Sequence, residues 1–196
     1  MDTKSVKANR INVENLSYCR VLSDDAEGTT YGPVGTLGSV MQVQLTPSLS
    51  TGTLYGEGVQ TENITKMNGI AIVVDVNKIK IEDRAAILGN TYIDGVLVEN
   101  TSDEPPYIAV GWKVPQTNNK CEYVWMLKGR AQPFNSNPKQ SEGNINFSTD
   151  SITINCIPRD SDKKIRFFAD TANAEFTDVQ AAKWFTTGPS TYPAKA

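Results

Sequence analysis

The side chains in this sequence that could do chemistry are carboxylates, thiols, hydroxyls and aromatics; histidine is absent. Without histidine the chain builds no Ser-His-Asp triad, no Cys-His dyad, no His-ligated metal and no histidine pH switch. Carboxylate pairs remain: Asp24 with Asp25, Glu82 with Asp83, Asp103 with Glu104, and Asp160 with Asp162. A glycosidase needs two carboxyls facing each other across a sugar. Sequence neighbours such as Asp24-Asp25 and Asp160-x-Asp162 instead suit turn formation. Glu82 and Asp83 suit the positive N-terminal end of a helix. Asp160-Ser161-Asp162 begins like a calcium loop, but Lys163 and Lys164 follow it, and the required glycine and terminal Glu are missing. Cys19, Cys121 and Cys156 are odd in number and widely spaced, without a C-x-x-C pair. They read as small buried hydrophobes in a reducing compartment. No catalytic residue, cofactor or metal is expected.

Three aromatics, Trp112, Tyr123 and Trp125, fall on neighbouring strand-like segments. They could line a sugar platform, which keeps a carbohydrate-binding β-sandwich as the alternative reading; core packing is the commoner use of such residues. Gly32, Gly35 and Gly38 imitate a phosphate cradle, but the Lys-Ser/Thr of a P-loop and a following helix are missing. Lys plus Arg is 19 against 22 Asp plus Glu, a net charge of −3 over 196 residues. With a pI of about 5.1, this is not the basic footprint of a nucleic-acid reader. The N-terminus has no apolar run of a signal peptide, and Ile70 to Val74 is too short to span a bilayer.

The elements that must position these residues follow from periodicity. Residues 1–10 are polar and read as a flexible N-terminal arm. Strands are expected at Leu16 to Leu22 and at Val40 to Thr46, where Met41, Val43 and Leu45 alternate with polar residues. Pro47 ends or edges that strand. Residues 47–68 form a long loop rich in Gly, Ser, Thr and Asn, yet carry Leu49, Leu54, Tyr55, Val59, Ile64 and Met67. A solvated linker needs no such side chains, so this loop is expected to dock on something. Ile70 to Val76 is a strand, Ile81 to Leu88 a helix ended by Gly89, and Asp94-Gly95 a tight turn within Tyr92 to Val98. Tyr107 to Val114 and Cys121 to Gly129 form a hairpin. Residues 136–143 read as a polar loop. Ile145 with Phe147, Ile152 to Cys156, and Lys164 to Ala169 mark further strands. Phe176 to Phe185 reads as a helix with Thr177 and Gln180 as a capping box. Residues 187–196 read as a loose tail. Strands adjacent in sequence without βαβ alternation predict a mainly-β antiparallel sandwich or barrel with one or two flanking short helices, in one domain over 11–186.

The order of segments resembles one family. Gly52-Thr53-Leu54-Tyr55 is followed by Ile70 to Val76, Ile87-Leu88-Gly89, and Tyr92-Ile93-Asp94-Gly95-Val96-Leu97. Pro106 to Lys113, Tyr123 to Gly129, Pro158-Arg159 and Trp184-Phe185 complete the series. This series, from about Asn12 to Phe185, resembles the major tail protein (tail tube) family of long-tailed, non-contractile bacteriophages, in the group typical of Gram-positive hosts. The resemblance implies a β-sandwich or barrel similar to type VI secretion tube proteins. It implies hexameric rings stacked into a virion tail tube, the conduit for DNA ejection, with tail-tip, tape-measure and terminator proteins as partners. DNA would pass without specific binding, and no membrane would be involved. The loop at 47–68 would be the inter-subunit arm, anchored by Leu54 and Tyr55. The C-terminal immunoglobulin-like domain of many relatives is not expected here.

Overall fold

The structure, a computed structural model, describes residues 6–134, 140 and 148–190. The expected strand at Ile145 and Phe147, most of the loop at 136–143, and the ends 1–5 and 191–196 lie outside the described residues. The chain is mainly β, with an antiparallel sheet and a few short helices. In chain order the strands are β1 (Glu14–Asp25), β2 (Gly28–Tyr31), β3 (Gly35–Thr36), β4 (Val40–Gly56) and β5 (Val59–Val76). Helix α1 (Ile81–Leu88) precedes β6 (Thr91–Ile93) and β7 (Val96–Val98). Then come β8 (Ile108–Gln116), β9 (Lys120–Ala131), β10 (Asp150–Cys156), β11 (Arg166–Asp170) and α2 (Asp178–Lys183).

One sheet runs β2-β1-β8-β9-β10-β5-β4, with β3 added on β1 and β11 on β9. Over the body of the molecule both of its faces are covered. The first face gathers Ile72, Val74, Val110, Trp112, Met126 and Ile154, closed by Ile87 and Leu88 of α1. The sheet curls around this cluster. Val43 and Leu45 of the terminal strand β4 line the same cavity as Trp112 and Val124 of the central strands. Between β3 and β4, the Leu37 N–H donates to the Leu16 carbonyl, and the Asn77 N–H donates to that of Ser39. The second face holds Cys19, Ala109, Trp125, Leu127 and Phe167 under Trp184, which follows α2. Period-two alternation explains the split: Val124 and Met126 point one way, Trp125 and Leu127 the other.

The helices obey their local signals. Helix α1 matches the expected Ile81 to Leu88, with Glu82 and Asp83 in the first turn and Gly89 left-handed at φ 73°. A Cβ at Gly89 would lie 2.5 Å from the Glu104 carbonyl oxygen, so both φ and space require glycine. Helix α2 carries the expected Thr177–Gln180 capping box but spans only Asp178–Lys183, shorter than the expected 176–185. Trp184 and Phe185 are released from it to pack on β9.

Several expectations are corrected. The segment at 47–68 is no loop: β4 and β5 pair continuously from Val40↔Val76 to Gly56↔Val59. Of the two readings of Pro47 the edge one holds: β4 runs on through it as the edge of the sheet, where an N–H can be spared. The glycine-spaced loop contains β3, and β2 precedes it. Residues 6–10 are tied down rather than loose. The Val6 N–H donates to Ala172 O, Asn118 Nδ2 donates to Lys7 O, and Arg10 pairs with Gln116 in an isolated bridge.

Candidate functional site

The β4–β5 ribbon becomes independent of the body where β10 ends, at Cys156 opposite Ile70. There Gly69 is required by a close approach, since a Cβ would meet Cys156 O at 2.8 Å. One residue earlier a bulge places both Asn68 and Met67 against the Ser48–Leu49 step, and the Asn68 amide donates to Ser50 Oγ. Beyond it the ribbon extends to a two-residue turn, Glu57-Gly58, with φ 52° and 80°. Positive φ at both central residues is the hairpin turn that matches strand twist. At about 3.3 Å per residue the free part is about 30 Å long.

All six residues singled out for docking lie on this ribbon and are exposed, from Met67 at 43% to Tyr55 at 67%. Directly opposed residues share a face. The pairs Leu49↔Met67 and Tyr55↔Gln60 continue the face that carries Val43 and Leu45 into the core. Gly52↔Ile64, Leu54↔Glu62 and Gly56↔Val59 lie on the opposite face. Leu54 and Tyr55 therefore point to opposite faces of the ribbon. Both faces are apolar in places, and among the described residues nothing of the chain covers either.

The carboxylates are employed within the body. Asp24 is not a turn residue but a strand residue with a buried side chain. Its carboxylate receives Lys128 Nζ at 2.7 Å, the N–H groups of Asp160 at 2.8 Å and Ser161 at 3.1 Å, and the Thr29 hydroxyl at 2.9 Å. Desolvation pushes the Asp24 carboxyl up, but these donors outweigh it and hold it below the usual carboxylate range. Desolvation likewise opposes the charge on Lys128, which Asp160 and Asp24 hold above its ordinary value. Asp162 is engaged by Arg159, whose side chain is buried, and by Lys164. Arg159 Nη1 also donates to Tyr31 Oη at 3.2 Å, Pro189 O at 2.9 Å and Ser190 O at 3.1 Å. Residues 189–190, expected as loose tail, are thereby clamped. Glu82 accepts from Tyr92, Asp83 from Tyr18 and Asp103 from Asn90. The geometry gives these groups structural partners, and the one ammonium of Lys128 ties the Asp24 and Asp160 carboxylates together at 2.7 Å each.

The aromatics that could have lined a sugar platform pack in the core, the commoner use of such residues. Trp112 and Trp125 are 3% and 1% exposed, on opposite faces of the sheet. Trp125 Nε1 donates to Trp184 O at 2.9 Å, and Tyr123 stacks among Phe176, Trp184 and Phe185. Burial pushes the Cys19 and Cys156 thiols each up to about 12, which disarms them as nucleophiles. Among the described residues no group of three or more Cys, Asp or Glu side chains could hold a metal ion. Among them also, no helix is long and apolar enough to cross a membrane.

Sequence reasoning missed a second exposed hairpin. Strands β6 and β7 stand apart from the main sheet, turned by Asp94-Gly95, with Ile93, Val96 and Val98 exposed. Its turn was legible; its isolation from the sheet was not. Compared with protein-family models and with curated proteins, the chain matches none.

Proposed function

We propose that this protein is a structural assembly subunit without catalytic activity, cofactor or metal. Its place is the virion tail of a long-tailed bacteriophage, as a subunit of hexameric rings that stack into the DNA-conducting tube. The observation that carries the reading is the β4–β5 ribbon. It stands clear of the body, and its apolar side chains on both faces have no cover among the described residues. Such a feature costs solubility and edge protection unless a partner buries it. Its bare strand edges suit pairing with another chain, and a second copy is the partner always present. The order of sequence motifs supports the tail-tube assignment, and the sheet curled around a core accords with it. A net charge of −3, repeated around a ring, would let DNA slide without sticking. Tail-tip, tape-measure and terminator proteins are the further partners of this reading, and the bacterial cytoplasm the place of synthesis.

Electron microscopy of the purified protein over a wide concentration range tests this. Rings or tubes with a central channel are expected. A protein that stays monomeric at every concentration contradicts it.

A further inference from the structure

The main sheet has a second bare edge, on β11. This strand pairs only with β9. Ile165 O accepts from the Leu127 N–H, and the Thr171 N–H donates to Cys121 O. Antiparallel alternation then turns 165, 167, 169 and 171 towards β9 and leaves the N–H and C=O groups of Arg166, Phe168 and Asp170 on the outer side. Among the described residues the N–H and C=O groups of Arg166 and Phe168 and the N–H of Asp170 have no backbone partner, whereas Asp170 O accepts from the Asn173 N–H at 3.0 Å and its carboxylate from the Ala172 N–H and Gln116 Nε2.

Two cavities flank this edge. One, of about 450 Å³, is lined by Phe168 and Arg166 together with Met41, Trp112 and Val124. The other, of about 530 Å³, lies against Phe167, Phe176 and Trp184, with Asn173 and Gln180 at its wall. A strand edge with a cavity on each side can take the alternating side chains of an added strand.

The chain itself carries a matching sequence. On one face β11 presents Arg166, Phe168 and Asp170; on one face the free part of β5 presents Glu62, Ile64 and Lys66. The spacing is identical and the charges are inverted. The outer edge of β5 is unpaired there because β10 ends opposite Ile70. In parallel alignment Glu62 meets Arg166, Ile64 meets Phe168 and Lys66 meets Asp170. In antiparallel alignment Glu62 would face Asp170 and Lys66 would face Arg166, both repulsive. Asn63 and Thr65 would then turn towards the second cavity, where Asn173 and Gln180 offer polar partners.

We propose that the bare edge of β11 receives the outer edge of the β5 ribbon from a second copy, in parallel. Glu62, Ile64 and Lys66 lie beside Arg166, Phe168 and Asp170. This rests on the self-assembly reading above and names the surface that the ribbon engages.

Charge exchange tests it in the full-length protein, with sedimentation velocity as the readout and thermal melting as the check on folding. Arg166→Glu alone and Glu62→Arg alone should each raise the concentration needed for association about tenfold, with melting unchanged. The double variant, Arg166→Glu with Glu62→Arg, should restore it. Phe168→Pro, which removes an outward N–H together with the phenyl ring beside Ile64, should also block association. If the wild type never associates, the self-assembly reading fails, and this inference with it. If the wild type associates and the single variants do so equally well, the β11 edge alone is overturned. If Arg166→Glu blocks association and Glu62→Arg does not restore it, the ribbon is not the occupant of that edge.

Discussion

The two longest antiparallel pairs in the molecule make opposite use of the same geometry. In β8–β9 nearly every residue is buried or half-buried, because the curled sheet and α1 cover one face and the Trp184 region covers the other. In the free part of β4–β5, leucine, isoleucine, valine and tyrosine stand in solvent. Hydrogen bonding is continuous in both pairs apart from bulges. What differs is cover, and with it the free energy that each side chain contributes within a single chain. Substitutions in β8–β9 should therefore act on folding, and those in the ribbon on association.

The largest effect is expected at Trp125. Truncation to Ala removes a side chain wedged between Gly111 and Phe185 and should cost about 4 kcal/mol, read by chemical denaturation. Breaking the buried pair with Lys128→Met leaves Asp24 unpaired and should cost about 3 kcal/mol. The same pair sets a pH window. The folded Asp24 carboxyl is lowered, so its stabilisation is complete above the unfolded value of about 3.9 and is lost as pH falls through the folded value. Lys128 is raised, so its share is complete below the unfolded value of about 10.4 and is lost as pH rises through the folded value. Asp24→Asn should flatten the acid limb in melts recorded across pH.

Smaller changes to stability belong to the ribbon. Gly58→Ala, at φ 80° with open space around it, should cost about 1 kcal/mol of local turn stability and leave the core melting cooperative. Leu54→Ser with Ile64→Ser alters one face; Leu49→Ser with Met67→Ser alters the other. Each pair should change monomer stability by less than about 0.5 kcal/mol while raising the concentration for assembly. The pair with the larger effect identifies the face that a partner buries. A ribbon pair that destabilised the monomer as Trp125→Ala does would erase the contrast.

The legible parts of the fold carried their signal within a few residues. Helix α1 was bounded by its acidic first turn and Gly89, and α2 was marked by Thr177 and Gln180. The strand at Ile70 to Val76 was visible, but its continuation back to Val59 was not. Asn63-Ile64-Thr65-Lys66-Met67-Asn68 lacks the alternation that one-sided burial imposes, because neither face of the ribbon is buried. Glycines and threonines on β4 imitated a loop, while the Glu57-Gly58 turn and cross-strand bonding made a strand of it. The six ribbon residues were legible as hydrophobes in a polar context; their division between two faces needed the register. Asp24 was misread because its decisive partner, Lys128, lies 104 residues away. The edge of β11 was hidden for the same reason: only the pairing with β9 shows which backbone groups remain bare.

The central claim is that the ribbon is buried between copies. Hydrogen exchange of residues 48–69, compared between dilute monomer and assembled particles, tests it most directly. Fast exchange in the monomer should become strong protection on assembly, while the already protected amides of β8 and β9 stay unchanged. Particles that form while residues 48–69 still exchange as in the monomer would contradict the account.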